Sequence, residues 1–379
     1  MDLRSKSAIV GVGQYGISAA PGMSHMEIMG HAVKAALAEA GLTLQDVDGL
    51  FTTNMSNLLP GLSVGEYLGL QPRFTDATNY GGSAFVAFLQ SATVAIETGL
   101  CDVALICYGS NQRSAAGRLV SPVEPQPYEA PYHPRNPIGA YALATSRHMY
   151  QYGTTREDLA SVAVSMRKWA ELNPEATMRD PITLEEVLAA RPVADPLTVR
   201  DCCLVTDGGG AVVLVSAEKA REMSKTPIYV RGFGVAHTHK SIMEMPDLTV
   251  SPAALSGARA FAMSGLAPQD IDVVQLYDAF TINAILFMED LGFCEKGQGG
   301  KLFRDGLTAP GGTIPVNTNG GGLSCTHPGM YGIFTIIEAV RQLRGEGGER
   351  QVADCATAVV HGNGGTLASQ ATGVLALEA

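Results

Sequence analysis

One nine-residue segment occurs twice in this chain, and no other feature restricts its fold as much. Ala40-Gly41-Leu42-Thr43-Leu44-Gln45-Asp46-Val47-Asp48 returns as Ser264-Gly265-Leu266-Ala267-Pro268-Gln269-Asp270-Ile271-Asp272. Each copy follows a helical pattern, His25 to Ala40 and Ser251 to Ser264, and precedes a strand-like stretch, Gly49 to Thr53 and Val273 to Tyr277. The correspondence extends outward in the same order. An opening strand at Ile9 to Gly13 matches Ile228 to Gly232, and a glycine-rich helix start at Gly81-Gly82-Ser83 matches Gly320 through Pro328. Asp102 to Gly109, a buried-strand pattern, matches Cys355 to Gly362. An ordered series of matches implies a duplicated unit. Because its strands are short apolar runs alternating with helices, the unit is α/β, with mixed sheets covered by helices on both sides.

The duplication divides the chain into a first half over 1–110 and 153–222 and a second half over 223–379. Between them, 111–152 is rich in Pro, Tyr and Arg and breaks the periodicity. It is expected to form a loop region over the functional site.

Composition excludes several function classes. The net charge is -11 and no run of five like charges occurs, so nucleic acid is not an expected partner. The first residues lead straight into the Ser7 to Gly13 strand pattern, unlike a signal peptide, and no apolar run approaches the ~20 residues of a membrane span. The seven cysteines are odd in number and mostly embedded in apolar runs, as expected of reduced thiols in a cytoplasmic protein. Cys202-Cys203 has no histidine at zinc-ligand spacing, so no metal site is expected.

Four signatures resemble the thiolase superfamily, nearest its sterol-carrier-type thiolases, lipid-transfer proteins and retro-aldolases, over nearly the full length. Tyr277-Asp278-Ala279-Phe280 stands where thiolases have Asn-Glu-Ala-Phe and sterol-carrier-type enzymes His-Asp-Cys-Phe. Asn317 to Gly329, containing Asn319-Gly320-Gly321-Gly322 and His327-Pro328-Gly329, is similar to the family's Asn-x-x-Gly-Gly and Gly-His-Pro run and is the most specific of the four. Val199 to Ala211 resembles the stretch closing the first half, and His361-Gly362-Asn363-Gly364-Gly365 stands in place of Cys-x-Gly-x-Gly. The resemblance implies the thiolase fold: two βαβαβαββ halves in a five-layered αβαβα arrangement. It also implies a coenzyme A thioester as substrate, no covalently bound cofactor, a homodimer, and a small partner subunit carrying an OB-fold and a zinc ribbon.

The departures bear on mechanism. The family's acylated cysteine falls at Gly81 of Tyr80-Gly81-Gly82-Ser83-Ala84, its second cysteine at His361, and the cysteine of the sterol-carrier tetrad at Ala279. Retro-Claisen cleavage needs an acyl-accepting nucleophile, which glycine cannot supply. Retro-aldol cleavage of a 3-hydroxyacyl thioester needs only a base and stabilisation of the enolate. Tyr277 or His361 is the expected base, with His361 as the neighbour that would lower the tyrosine's pKa. His327 is the expected donor to the thioester oxygen, with Gly81, Gly82, Ser83, Asn319 and Gly364 forming the oxyanion and helix-start surroundings. Tyr277 is equally readable as a core residue, and Ser83 as a helix cap. His25, His31, His133, His148, His237 and His239 are read as structural, with His133 the first to revisit. Two alternatives stay open: an acetyl-CoA acetyltransferase with a relocated nucleophile such as Cys325, and a non-catalytic acyl-CoA or lipid-binding subunit.

Overall fold

The computed structural model describes residues 2–116 and 127–379. The first half runs β1 (Ser7–Ser18), α1 (His25–Ala40), β2 (Gly49–Thr52), α2 (Pro60–Leu68), β3 (Phe74–Asp76), α3 (Ala84–Glu97) and β4 (Val103–Ser110). Helices α4 (Gln112–Ala116), α5 (Ile138–Tyr152), α6 (Arg156–Glu171) and α7 (Leu184–Leu188) and a ribbon, β5 (Pro192–Ala194) and β6 (Leu197–Thr198), come next. Strand β7 (Asp207–Ser216) and α8 (Ala217–Arg221) close the half. The second half runs β8 (Ile228–His237), α9 (Ala253–Ser264), β9 (Val273–Gln275), α10 (Thr281–Asp290), α11 (Gly299–Arg304), α12 (Gly332–Leu343), β10 (Thr357–Gly364) and β11 (Ser369–Ala376).

The repeated nonapeptide is a local device for turning a helix into a buried strand. In both copies a glycine ends the helix in the left-handed region, Gly41 at φ 69° and Gly265 at φ 70°, where a side chain is disfavoured. A 3-10 turn follows, closed by an aspartate that accepts the backbone N–H three residues earlier, Asp46 from Thr43 and Asp270 from Ala267, both at 2.8 Å. The last aspartate of each copy then fastens the next strand. Asp48 accepts the N–H groups of Asp102 and Val103, and Asp272 those of Ala356 and Thr357.

The strands lie in the order β3-β2-β4-β7-β1-β8-β11-β10-β9, the halves joining where β1 pairs antiparallel with β8 at Ala8–Tyr229 and Ile9–Ile228. Alternation along β1 sends Ile9 inward and Ala8 and Val10 outward. Ile9 belongs to a core in which Phe85, Phe88 and Leu89 of α3 and Ile333 and Ile336 of α12 lie between the two half-sheets, against Val212 on one side and Val360 and Val374 on the other. On the outer face Ala32, Val33, Ala36 and Leu37 of α1 pack on Ala8, Val10 and Val213, and α9 covers β8 and β11 of the other half. This is the αβαβα order that the resemblance implies.

Two expectations are corrected. Within 111–152, Ile138–Tyr152 is a helix rather than a loop, and 117–126 lies outside the described residues. Its buried stripe of Ala140, Tyr141, Ala144, Thr145 and His148 is masked in the sequence by polar and aromatic residues on its exposed side. The glycine run from Gly320 does not open a helix. It forms a single π turn over Gly321–Cys325, and α12 begins only at Gly332. Among the described residues no helix is long and apolar enough to cross a membrane.

Candidate active site

A cavity of about 650 Å³ is lined by both halves, with Gly81 and Gly82 before α3, Tyr141 of α5, Tyr277 and Phe280 after β9, His327, and Asn363 and Gly364 of β10. Strand β9 runs parallel to β10, so the Tyr277 to Phe280 tetrad emerges at the carboxyl edge of the sheet, where open α/β folds bind ligands.

A buried carboxylate brings two of the sequence signatures together. Asp278 accepts the Gly322 N–H at 2.6 Å and the Leu323 N–H at 3.3 Å, docking the glycine run onto the tetrad. Burial pushes the Asp278 carboxyl up to about 7, and the Gly322 N–H offsets part of that effect. Only glycine fits at position 321, where φ is 65° and a Cβ would fall 2.1 Å from Asp278 Oδ2. The third signature braces the result: Thr206 Oγ1 accepts the His327 N–H at 3.0 Å and bonds Thr326 Oγ1 at 2.8 Å.

As a consequence, His327 Nε2 lies 3.1 Å from the Tyr277 hydroxyl, with the rings edge-on at 5.5 Å between centroids. Burial holds the His327 pKa down at about 4, so its ring is neutral near pH 7, and burial raises the Tyr277 hydroxyl well above its ordinary value. The Tyr277 ring fills the space a side chain at position 82 would need, since a Cβ on Gly82 would fall 2.0 Å from Tyr277 Cε2.

The other expected site residues divide. Gly364 lines the cavity, and so does Gly81, but the Gly81 N–H already donates to Asn79 Oδ1 at 3.0 Å and is not free for an oxyanion. His361 does not line the cavity. It is fully buried against Phe287 at 4.3 Å between ring centroids, with neither ring nitrogen hydrogen-bonded and its pKa pushed down to about 3 by burial. A strand rises ~3.3 Å per residue, so His361 lies deeper than Asn363 on the same face of β10. The neighbour of the Tyr277 hydroxyl is therefore His327, which was expected as a donor to the thioester oxygen and whose Nε2 contacts the phenol instead. Asn319 also stays away from the cavity, its Oδ1 accepting the Gly321 N–H and the Tyr331 hydroxyl. Ser83 neither caps α3 nor reaches the cavity; its hydroxyl bonds Tyr80 O and Ser369 Oγ and ties the halves together. Cys325 is buried with Ala170 and Ala176, and burial raises its thiol pKa. His133 is exposed, whereas His237 and His239 line the cavity.

A family model described as Thiolase C-terminal domain-like matches residues 234–377. An acetyl-CoA acetyltransferase of Methanothermobacter thermautotrophicus is 37% identical over 382 residues, covering 95% of this chain and 96% of the relative. The chain belongs to the thiolase superfamily. Within that superfamily, a steroid side-chain-cleaving aldolase of Thermomonospora curvata is 35% identical over 363 residues, covering 90% of this chain and 91% of the relative. The solved structure of an Ltp2-ChsH2(DUF35) aldolase is 33% identical with a TM-score of 0.89, over 99% of this chain and 98% of that one.

Among the cavity residues of this thiolase-superfamily chain that sequence reasoning missed are Tyr141, Asn363 and Cys203. Tyr141 comes from a helix that the pattern did not reveal, Asn363 lies inside a signature whose histidine drew attention instead, and Cys203 was considered only as half of a metal pair. Alternation along β10 was the one available signal, since it places Asn363 on the same side as His361.

Proposed function

We propose that this chain cleaves 3-hydroxyacyl-CoA thioesters by a retro-aldol reaction and forms them in the reverse direction. The observation that carries this reading is the 3.1 Å contact between the Tyr277 hydroxyl and His327 Nε2 in a cavity where glycine occupies the position of the acyl-accepting cysteine. Tyr277 takes the proton of the substrate's 3-hydroxyl as it passes its own proton to the neutral His327 ring. Burial disfavours a free phenolate, so the two transfers are coupled. The C2–C3 electron pair then moves into the thioester enolate and a carbonyl product departs. The proton held on His327 returns to Tyr277 as Tyr277 or solvent protonates C2, which completes the shorter acyl-CoA and resets the relay. No covalent cofactor enters this scheme.

One observation favours a second reading, a thiolase with a relocated nucleophile. Cys203 lines the cavity. Against it, burial raises the Cys203 pKa, and His327 Nε2 is already engaged by Tyr277. Mass spectrometry after incubation with 3-hydroxyacyl-CoA and 3-ketoacyl-CoA esters plus free CoA separates the readings. Cleavage of hydroxy esters to a carbonyl compound and a shorter acyl-CoA, without a protein adduct, supports the retro-aldolase. An acylated Cys203 peptide and CoA-dependent conversion of keto esters overturn it, and tight binding without turnover points to a carrier.

The assembly belongs to the same proposal. Met55, Leu58, Leu59 and Leu62 are exposed at α2 and the loop before it, and a Cβ on Gly61 of α2 would lie 2.8 Å from Thr75 of the edge strand β3. An apolar patch beside an open strand edge supports a homodimer through this face. The solved Ltp2-ChsH2(DUF35) neighbour supports a partner subunit, for which the resemblance implies a small OB-fold and zinc-ribbon protein. The seven free cysteines fit a reducing cytoplasmic setting.

A further inference from the structure

The cavity contains a second tyrosine hydroxyl, and its partners differ in kind from those of Tyr277. Tyr141 is buried in the wall, its ring stacked on Phe280 at 4.3 Å between centroids. Its hydroxyl oxygen accepts a hydrogen bond from Asn363 Nδ2 at 2.9 Å. Asn363 is held in turn, because its Oδ1 accepts from Gln370 Nε2 at 2.8 Å, and Gln370 is fully buried on β11. This chain of amides orients Asn363 with its NH₂ toward the phenol.

The partner decides what each hydroxyl can do. The Tyr277 hydroxyl lies 3.4 Å from the Gly329 carbonyl and faces an imidazole nitrogen at 3.1 Å, which can take up a proton in the tautomer that carries its hydrogen on Nδ1. Tyr141 faces amides, Asn363 first and then the Asn283 side chain and the Leu367 backbone, which cannot, and its own O–H remains a donor. Burial pushes the Tyr141 hydroxyl up to about 12, the Asn363 amide offsetting part of the effect, so it keeps its proton near pH 7. Retro-aldol cleavage requires two separate services, removal of the 3-hydroxyl proton and a hydrogen bond to the oxygen on which the enolate charge develops. Two of the expected donors for the second service are engaged elsewhere, since the Gly81 N–H donates to Asn79 and His327 Nε2 contacts Tyr277.

We propose that Tyr141 is a catalytic residue that donates its hydroxyl hydrogen bond to the thioester oxygen as the enolate forms, with Asn363 and Gln370 as the positioning residues that aim it. The inference rests on the retro-aldol reading given above. As the C2–C3 bond breaks, its electron pair delocalises onto the thioester oxygen beside the Tyr141 O–H, and the proton of the 3-hydroxyl leaves through Tyr277. Tyr141 gives up no proton in the cycle.

The test uses the full chain and two readouts: steady-state cleavage of the 3-hydroxyacyl-CoA ester that wild type turns over, and deuterium incorporation at C2 of the acyl-CoA product in D₂O. Tyr141→Phe keeps the stack on Phe280 and removes only the donor. It is expected to lower kcat and C2 exchange together by about 100-fold, with KM within about threefold and the shape of the pH profile unchanged. Asn363→Asp replaces the amide donor with an acceptor that draws the Tyr141 proton away from the substrate, so it is expected to reproduce the loss without adding to that of Tyr141→Phe. Retention of kcat and exchange in either folded variant, or a loss confined to KM, overturns the assignment. Wild-type chain that neither cleaves nor exchanges overturns the retro-aldol reading itself, and this assignment with it.

Discussion

The Tyr277 hydroxyl stands 3.1 Å from His327 Nε2, although the two residues are 50 positions apart in the chain. Their meeting depends on Asp278, whose carboxyl group takes the backbone N–H groups of Gly322 and Leu323 and so anchors the histidine-bearing loop beside the tyrosine. In the proposed mechanism this contact makes the phenol half of a proton relay.

Removing that hydroxyl is expected to stop the chemistry without preventing binding. Tyr277→Phe should lower kcat for 3-hydroxyacyl-CoA cleavage by roughly 10²–10⁴ with little change in KM, the usual range for losing a general base. His327→Gln should do the same, and the double variant should be little worse than either, because the two act as a unit. Strictly additive losses in kcat would contradict a shared relay.

Acid sensitivity follows from the buried histidines. His327 and His361 are pushed by burial from 6.5 to about 4 and about 3 in the folded chain. Through these two rings the unfolded chain binds more protons between about 6.5 and the folded values, so their contribution to stability falls as pH drops through that window. The Asp278 carboxyl, raised from 3.8 to about 7, acts in the opposite direction and offsets part of it. Thermal melts from pH 8 to pH 4 should show this decline beginning near pH 6.5. His361→Leu, which removes a buried ring with no hydrogen-bond partner, should make the decline shallower. In kcat, the His327 acceptor remains neutral down to about pH 4 and is lost below it.

Gly82→Ala tests the packing of the site. The added methyl group would enter the space of the Tyr277 ring. Tyr277 must then move away from His327, so cleavage should fall by at least 100-fold. A crystal structure of the variant would show the separation, and unchanged activity with unchanged ring position would refute the account.

The two cysteines considered as nucleophiles should behave alike. Cys325→Ala and Cys203→Ser are both expected to keep kcat within about fivefold of wild type, because neither forms a bond to the substrate in a retro-aldol reaction. Loss of turnover in Cys203→Ser alone, with an acyl adduct on the wild-type peptide, would instead favour the thiolase reading.

Leu58 and Leu62 are 95% and 70% exposed, and a paired substitution of both by glutamate places charge on the proposed dimer face. Sedimentation equilibrium should then report a monomer where wild type gives a dimer.

Much of this protein is determined by sequence alone, because the relevant physics is local. The repeated nonapeptide encodes a helix stop, a 3-10 turn and a strand anchor within a few residues, and it does so identically in both halves. The alternation that sends Ile9 to one layer and Ala8 and Val10 to another is equally local. The signature residues Tyr277 and His327 are likewise visible as chemistry-bearing side chains within motifs that resemble those of the family. Tertiary structure alone decided which histidine faces the tyrosine. His327 and His361 both follow from motif positions, but a carboxylate contact between segments far apart brings one into the cavity, while two residues of strand rise bury the other against Phe287. The same holds for Tyr141, whose hydroxyl acquires its partner only when α5 packs against the end of β10. Pairings of this kind arise from where packed elements place their side chains, and no period in the sequence encodes that placement.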